Sequence, residues 1–436
     1  MKKLTLIVIL FFGLVAHSQQ PKQLALDFIY ELDTVPQKAY DSYLDTSFQN
    51  KVDVDQMVEM WGKIETFFGE FQSAHYICVD DSKENISVYA TVNFKRKSQD
   101  LNIVFNDKNK IIGFFMAETI PCEKEVYPLP KYSKQKKYIE TEIQFKSGDL
   151  TLFGTLTQAV KHKTNTPIVI FVHGSGPNDR DESIGPNKLF KDLALGIATK
   201  GISSLRYDKR TFRYKNPELS NTIQKEVTND VTSAIKWLKQ NENTKNNPIF
   251  VVGHSLGAYV APLIANQNTE VKGIVMMAGN FRPLEELVLA QYQYISTLKG
   301  ENEASLKPII ADLKVKLNYL KDSLTENSPP NKLPLGVPPT YWLSMHNYNH
   351  KAVIKNLSIP IFVMQGERDY QVTMTDFNLY GKIMAEKSNY TAKSYKNLNH
   401  LFLEGKGKPN PGEYLTQSNV PKYVLIDIVK WIKANI

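Results

Sequence analysis

The feature that most constrains this chain is the pentapeptide Gly253-His254-Ser255-Leu256-Gly257 together with what flanks it. Before it runs the apolar stretch Ile249-Phe250-Val251-Val252, and after it an Ala-rich stretch of helical character over residues 258–266. G-x-S-x-G between a short buried strand and a helix marks a sharp strand-to-helix turn. The glycines let the backbone turn, the serine is lifted onto the tip, and the helix directs its N-terminal partial positive charge at the site. Ser255 is therefore the candidate nucleophile. His254 points away from the serine at such a turn and reads as packing.

This turn needs strands alternating with helices, and the second part of the chain supplies them. Residues 138–145 and 150–157 form an expected hairpin around Lys146-Ser147-Gly148-Asp149. Short apolar runs follow at 168–172, 202–205, 249–252, 274–277 and 361–364, with amphipathic stretches such as 189–198 and 227–238 between them. Short buried strands alternating with helices predict an α/β fold with a doubly wound, mostly parallel sheet. One interval breaks the alternation. About 80 residues separate Gly279 from Ile359, where a plain crossover takes about 10 to 20. They read as a cap insertion over about 281–356, helical to Leu324 and proline-rich afterwards, above the sheet edge where such folds keep their sites.

A serine hydroxyl needs a base to take its proton and an acid to orient that base. In this arrangement the chain order is serine, acid, histidine. Asp369 follows the run 361–364, and His400 follows a strand-like segment at 391–395, so both fall just past strand C-terminal ends. Glu367 and Asp376 are the alternative acids, the first early in a turn, the second on a following helix. Among other histidines, His17 falls in the leader, His75 in the N-terminal part, His162 in a charged loop, and His346 and His350 in the insertion. A tetrahedral intermediate needs two backbone N–H donors. Leu256, directly after the nucleophile, is one. The loop His173-Gly174-Ser175-Gly176-Pro177 offers the other, with Ser175 the candidate and Gly174 the alternative; His173 braces this loop. Arg180 and Arg206 either orient a carboxylate or sugar in the cleft or form a structural network with Asp179, Asp181 and Asp208. No cofactor and no metal site is expected. His346 and His350 are spaced i, i+4 but lack H-E-x-x-H, and neither a phosphate-cradling loop nor a dinucleotide fingerprint occurs.

The first 18 residues read as a secretory signal peptide: Lys2 and Lys3, an apolar run to Ala16, then Ala16-His17-Ser18 before Gln19. The run is too short to span a bilayer, no cysteine follows it, and no later segment is apolar enough to cross a membrane. An exported protein, periplasmic or extracellular, with no integral membrane segment in the mature chain is expected. Residues 19–120 read as a small α+β domain, with helical periodicity over 20–67 and four strands near 71–79, 86–94, 101–105 and 111–118. Residues 121–137, with three prolines and five lysines, read as a linker to the domain at 138–436. Cys78 and Cys122 are the only cysteines. They are either one disulfide or two buried thiols. The net charge of +8 is uneven, about −7 over 19–125 and about +13 over 126–436. The lysines are scattered without an aromatic-interleaved stripe, which argues against nucleic acid as a partner.

From about residue 138 onward the chain resembles the α/β-hydrolase superfamily. Within it, His173-Gly174-Ser175-Gly176-Pro177-Asn178-Asp179-Arg180-Asp181 and Arg206-Tyr207-Asp208-Lys209-Arg210 resemble motifs of exported bacterial esterases grouped near serine aminopeptidases. Thr211 departs from the glycine usual there. The resemblance implies a small N-terminal domain of nuclear-transport-factor-like shape and carboxylesterase activity on short-chain acyl esters. A small-molecule ester is thus the expected partner. An aminopeptidase or prolyl-type peptidase is the first alternative, with Glu285, Glu286, Glu301 and Glu303 available to hold an amino terminus. A ligand-binding surface protein with a vestigial hydrolase domain is the second. An aspartate-nucleophile dehalogenase is disfavoured by the serine.

Overall fold

The computed structural model describes residues 20–436 apart from 83, 118, 123–126, 161–165, 215 and 299–301. The signal peptide read over residues 1–18, the loop carrying His162, and Glu301 lie outside the described residues. The described chain forms two compact units, residues 20–128 with 213–216, and residues 129–212 with 217–436.

In the first unit, four helices precede four strands. They are α1 (Gln20–Thr34), α2 (Pro36–Tyr43), α3 (Thr46–Gln49) and α4 (Val54–Phe68), then β1 (Phe71–Asp80), β2 (Ile86–Phe94), β3 (Ser98–Phe105) and β4 (Ile111–Met116). The strands form an antiparallel meander in the order β1-β2-β3-β4. α4 opens with a capping box: the Asp53 carboxylate accepts the Gln56 N–H at 2.8 Å while the Gln56 side chain accepts the Asp53 N–H at 3.0 Å. Its buried stripe is Met57, Trp61 and Ile64, whereas Val58 lies off it and is exposed. Trp61 packs against Phe71 and Phe94 on the sheet. Every second residue of β2 from Val88 to Phe94 faces this core. Cys78 and Cys122 are joined in a disulfide across a separation of 44 residues.

The second unit is an eight-stranded sheet. Its strands are β5 (Tyr138–Ser147), β6 (Leu150–Ala159), β7 (Ile168–Val172), β10 (Ser203–Tyr207), β11 (Ile249–His254), β12 (Val271–Met277), β13 (Ile361–Gly366) and β14 (Tyr390–Tyr395). A two-residue ladder, β8 (Ser183–Ile184) with β9 (Asn187–Lys188), stands apart from it. The order is β14-β13-β12-β11-β7-β10-β6-β5, with β5–β6 and β6–β10 antiparallel and the other pairs parallel. β7, β10, β11 and β13 are buried at every position, the reason β7 and the first four residues of β11 and β13 read as unbroken apolar runs; β10, by contrast, buries Ser203, Ser204 and Arg206.

The helices of this unit include α5 (Leu189–Thr199), the first three residues of the short α6 (Arg210–Tyr214), α7 (Asn229–Gln240) and α8 (Leu256–Gln267), the last packed on β11 and β12. The insertion carries α9 (Leu284–Ser296), α10 (Asn302–Ser323), α11 (Pro339–His346) and α12 (His350–Asn356); α13 (Met374–Met384) and α14 (Lys422–Ala434) follow. From β7 the chain goes to β10 on one side and returns to β11 on the other. The C-terminal ends of β7 and β11 therefore part at a topological switch point, where such sheets open a crevice.

Candidate active site

β11 ends at His254 and α8 begins at Leu256, so Ser255 alone makes the turn. Its backbone sits at φ 53°, ψ −115°, a strained conformation for a residue with a side chain. The turn is held from both sides: the Ser255 N–H donates to the Met277 carbonyl, and its own carbonyl accepts from the Tyr259 N–H, each at 2.9 Å. The flanking glycines are required by close approach. A Cβ on Gly257 would lie 2.0 Å from the Val172 carbonyl oxygen, and one on Gly253 would lie 2.3 Å from the Gly257 carbonyl oxygen. The elbow is thus pressed directly onto the end of β7.

Asp369 and His400 come together past the ends of β13 and β14, with His400 Nδ1 and Asp369 Oδ2 2.7 Å apart. Both are buried. The carboxylate is fixed by three further donors. Its Oδ1 accepts the N–H groups of Gln371 at 2.8 Å and Val372 at 2.9 Å, and its Oδ2 accepts Gln365 Nε2 at 3.0 Å. A carboxylate so anchored leaves the imidazole one tautomer, with Nδ1 protonated toward Asp369 and the acceptor lone pair on Nε2. The alternative acids are placed elsewhere. Glu367 accepts from the Ser394 hydroxyl, and Asp376, fully buried, pairs with Arg282 at 2.6 Å.

His173-Gly174-Ser175-Gly176 follows β7 and passes beside Ser255, since a Cβ on Gly174 would lie 3.2 Å from the Ser255 Cβ. The Gly174 N–H donates to Glu182 Oε1 at 2.7 Å and is thereby occupied. The Gly174 carbonyl accepts Lys209 Nζ at 2.8 Å and Asn178 Nδ2 at 3.2 Å. His173 packs against the Phe190 and Tyr207 rings, and its burial pushes the imidazole down to about 4, so it is neutral at pH 7.

His254 is more than packing. Its Nε2 lies 2.9 Å from the His400 carbonyl oxygen and its Nδ1 lies 3.1 Å from Glu182 Oε1. Burial opposes charge on this ring, but the Glu182 carboxylate outweighs it and holds the imidazole above its ordinary value. Burial likewise opposes charge on Glu182, and His254, His173 and the Gly174 N–H together bring its carboxyl below the usual range. One buried pair therefore ties the nucleophile turn, the Gly174 loop and the His400 loop to each other.

The family model described as serine aminopeptidase, S33, matches residues 163–406, over half of the chain. The chain belongs to that family. A second model, described as a protein of unknown function (DUF3887), matches residues 25–114 of this S33-family hydrolase. Esterase EstD of Thermotoga maritima is 31% identical over 433 residues, covering 99% of each chain. Among solved structures, an acylaminoacyl peptidase of Pyrococcus horikoshii aligns at a TM-score of 0.51 and 12% identity, over 83% of this chain and 56% of that one. A Pyrococcus furiosus esterase aligns at a TM-score of 0.45 and 16% identity, over 68% of this chain and 91% of that one. The S33 protein is a serine hydrolase enzyme with the α/β-hydrolase fold.

Of the two roles weighed for Arg180 and Arg206, the side chains of this hydrolase take the structural one. Arg180 and Arg206 are not available to orient substrate. The Arg180 guanidinium is buried against both oxygens of Asp208, Thr155 Oγ1 at 2.9 Å and Glu142. Arg206, also buried, pairs with Asp181 and Glu140. Their charges are spent on carboxylates, two of which come from β5. His346 and His350 do not converge either: His346 Nε2 is 2.9 Å from Glu285 Oε1, and His350 is buried between the Tyr348 and Tyr380 hydroxyls. The structure also brings forward residues that the spacing did not single out: Gln365, Glu182, Glu226 and Tyr341. Only Gln365 carried a signal, being the last polar residue of a buried strand four positions before the acid.

Proposed function

We propose that this enzyme is a carboxylesterase of short-chain acyl esters that works through an acyl-enzyme. The observation that carries the reading is the buried 2.7 Å His400–Asp369 pair, whose loop meets His254, the residue before a serine held at the tip of a strained turn, through the His400 carbonyl. Ser255 Oγ attacks the ester carbonyl. His400 Nε2 takes its proton, because Nδ1 is committed to Asp369, and returns it to the leaving alkoxide. Water then repeats the sequence and frees the acid. The N–H groups of Leu256 and Ser175 bind the oxyanion. The alternative, Gly174, has its N–H engaged by Glu182. The likeness to an esterase along the whole chain supports ester over amide substrates. Export by the N-terminal leader belongs to the same proposal and is supported by the Cys78–Cys122 disulfide, a bond that persists in oxidising compartments.

The test is hydrolysis of p-nitrophenyl acetate, butyrate and octanoate by the mature protein beside Ser255→Ala. Activity lost in the variant and highest on the short esters supports the proposal. Turnover of aminoacyl arylamides faster than of any ester replaces it with a peptidase. Of the carboxylates considered for holding an amino terminus, Glu285 is already engaged by His346.

A further inference from the structure

The Gly174 carbonyl is held by a buried ammonium whose other partner reaches into the cap. Lys209 is 1% exposed, and its Nζ donates at 2.8 Å to the Gly174 carbonyl and at 2.5 Å to Glu226 Oε1. Glu226 lies in one turn of π-helix, Gln224–Thr228, a wider winding that recurs at functional sites. Its second oxygen accepts the hydroxyl of Tyr341, on α11 of the cap, at 2.6 Å. All three side chains are buried. A continuous chain of charge-assisted hydrogen bonds thus runs from cap helix to Glu226, to Lys209, to the loop beside the nucleophile.

The consequence follows from peptide geometry. In a planar trans peptide the carbonyl and the next N–H point in opposite directions. Lys209 draws the Gly174 carbonyl inward, which turns the Ser175 N–H outward, on a loop that passes beside Ser255. We propose that Lys209 is a positioning residue that sets the oxyanion-binding amide of Ser175, and that Tyr341 makes this setting depend on the cap being in place. The inference rests on the reading of Ser175 as an oxyanion donor. Lys209 touches no reacting atom; it acts through the peptide it orients.

The test compares wild type, Lys209→Met/Glu226→Gln and Tyr341→Phe on p-nitrophenyl butyrate and its thiono analogue, in which sulfur replaces the carbonyl oxygen. The double variant leaves no unpaired buried charge and keeps an acceptor for Tyr341, so it removes the orientation without stranding an ion. Loss of one oxyanion donor lowers kcat by about 10²- to 10³-fold. The double variant is expected to lose roughly 100-fold in kcat with KM within about threefold, and the oxo-to-thiono rate ratio should fall about tenfold, since the hole is built for oxygen. Tyr341→Phe should show the same pattern at roughly three- to tenfold. A purely structural role would lower the melting temperature and leave the rate ratio unchanged. An unchanged ratio in both variants, or a loss confined to KM, overturns the inference while leaving the esterase reading intact. If the double variant does not fold, Tyr341→Phe, which keeps the ion pair, decides by its ratio alone. A wild type inert on both esters overturns the esterase reading and this inference with it.

Discussion

Asp369→Asn replaces one carboxylate oxygen by NH₂, and the hydrogen bonds dictate which one. Oδ1 accepts two backbone N–H groups, from Gln371 and Val372, so the remaining oxygen stays there. The new NH₂ then takes the place of Oδ2, facing Gln365 Nε2 at 3.0 Å and His400 Nδ1 at 2.7 Å. Facing a donor, His400 can keep its hydrogen bond only by offering Nδ1 as acceptor, which moves its proton to Nε2, the nitrogen that must receive the serine proton. Flipping the amide sets NH₂ against two backbone donors and is worse. A wrong tautomer with intact geometry costs about 10⁴-fold in kcat, or about 5 kcal/mol of barrier at 1.36 kcal/mol per decade. The assay is kcat and KM on p-nitrophenyl butyrate, with near-UV circular dichroism to verify the fold. KM should change little, since Asp369 is buried and acts through His400. A variant within tenfold of wild-type kcat would refute the assignment of Asp369 as the orienting acid.

Two further predictions concern stability. His173 and His350 are held low chiefly by burial, at about 4 and about 3, so the unfolded chain, with ordinary values near 6.5, binds more protons below that pH. Their stabilising contribution is full above about 6.5 and falls away as pH drops toward 4, by about 3 kcal/mol for His173. His254 runs the other way, losing its contribution as pH rises through its raised value, and Glu182 loses its own as pH falls through its depressed one. Urea midpoints should decline from pH 7 to pH 5, and His173→Phe should flatten that decline; a slope unchanged by the substitution counts against the buried neutral ring. Separately, closing a 44-residue separation by Cys78–Cys122 stabilises by up to about 4 kcal/mol in the chain-entropy view. Cys78→Ala/Cys122→Ala should lower the urea midpoint of the full chain's N-terminal transition, and an unmoved midpoint would show that the bond constrains little.

The strands were legible, and with them the places of Ser255, Asp369 and His400, because each follows within a few residues the end of a short strand bounded by turn residues. Burial makes those strands apolar, and the sheet collects their C-terminal ends. The cap was legible only as an interruption. Its proline-rich stretch was read as a break in helix, yet Pro339 opens α11, where a missing N–H costs nothing and a fixed φ is pre-organised. Residues 20–67 read as helical, but where four separate helices divide was set by caps such as Asp45 and Asp53 rather than by periodicity. Arg180 and Arg206 stood among nearby acids in the sequence, but Glu142 and Glu140, which share in neutralising them, come from β5, some 38 and 66 positions earlier. Likewise nothing local marks Glu182 or Tyr341, whose partners lie 8 and 115 residues away. Side-chain networks built across elements have no period to read.

The insertion between β12 and β13 has a consequence for the order in which the molecule comes together. Ile274 and Ile361 are register partners on adjacent parallel strands, yet the whole cap lies between them in the chain. The pairings of β7 with β10 and of β11 with β12 are more local, whereas β7 and β11 pair across nearly as many residues as β12 and β13; contacts of short sequence separation close first because they cost less chain entropy. The Ser255 turn and the Met277 carbonyl that holds it are both drawn from residues ahead of the cap, whereas Asp369 and His400 follow it in the chain. In the proposed mechanism, hydrolytic competence therefore waits on β13 and β14, which follow the cap in the chain. On that reading, a chain that stops before β13 holds Ser255 without the acid and base proposed to activate it.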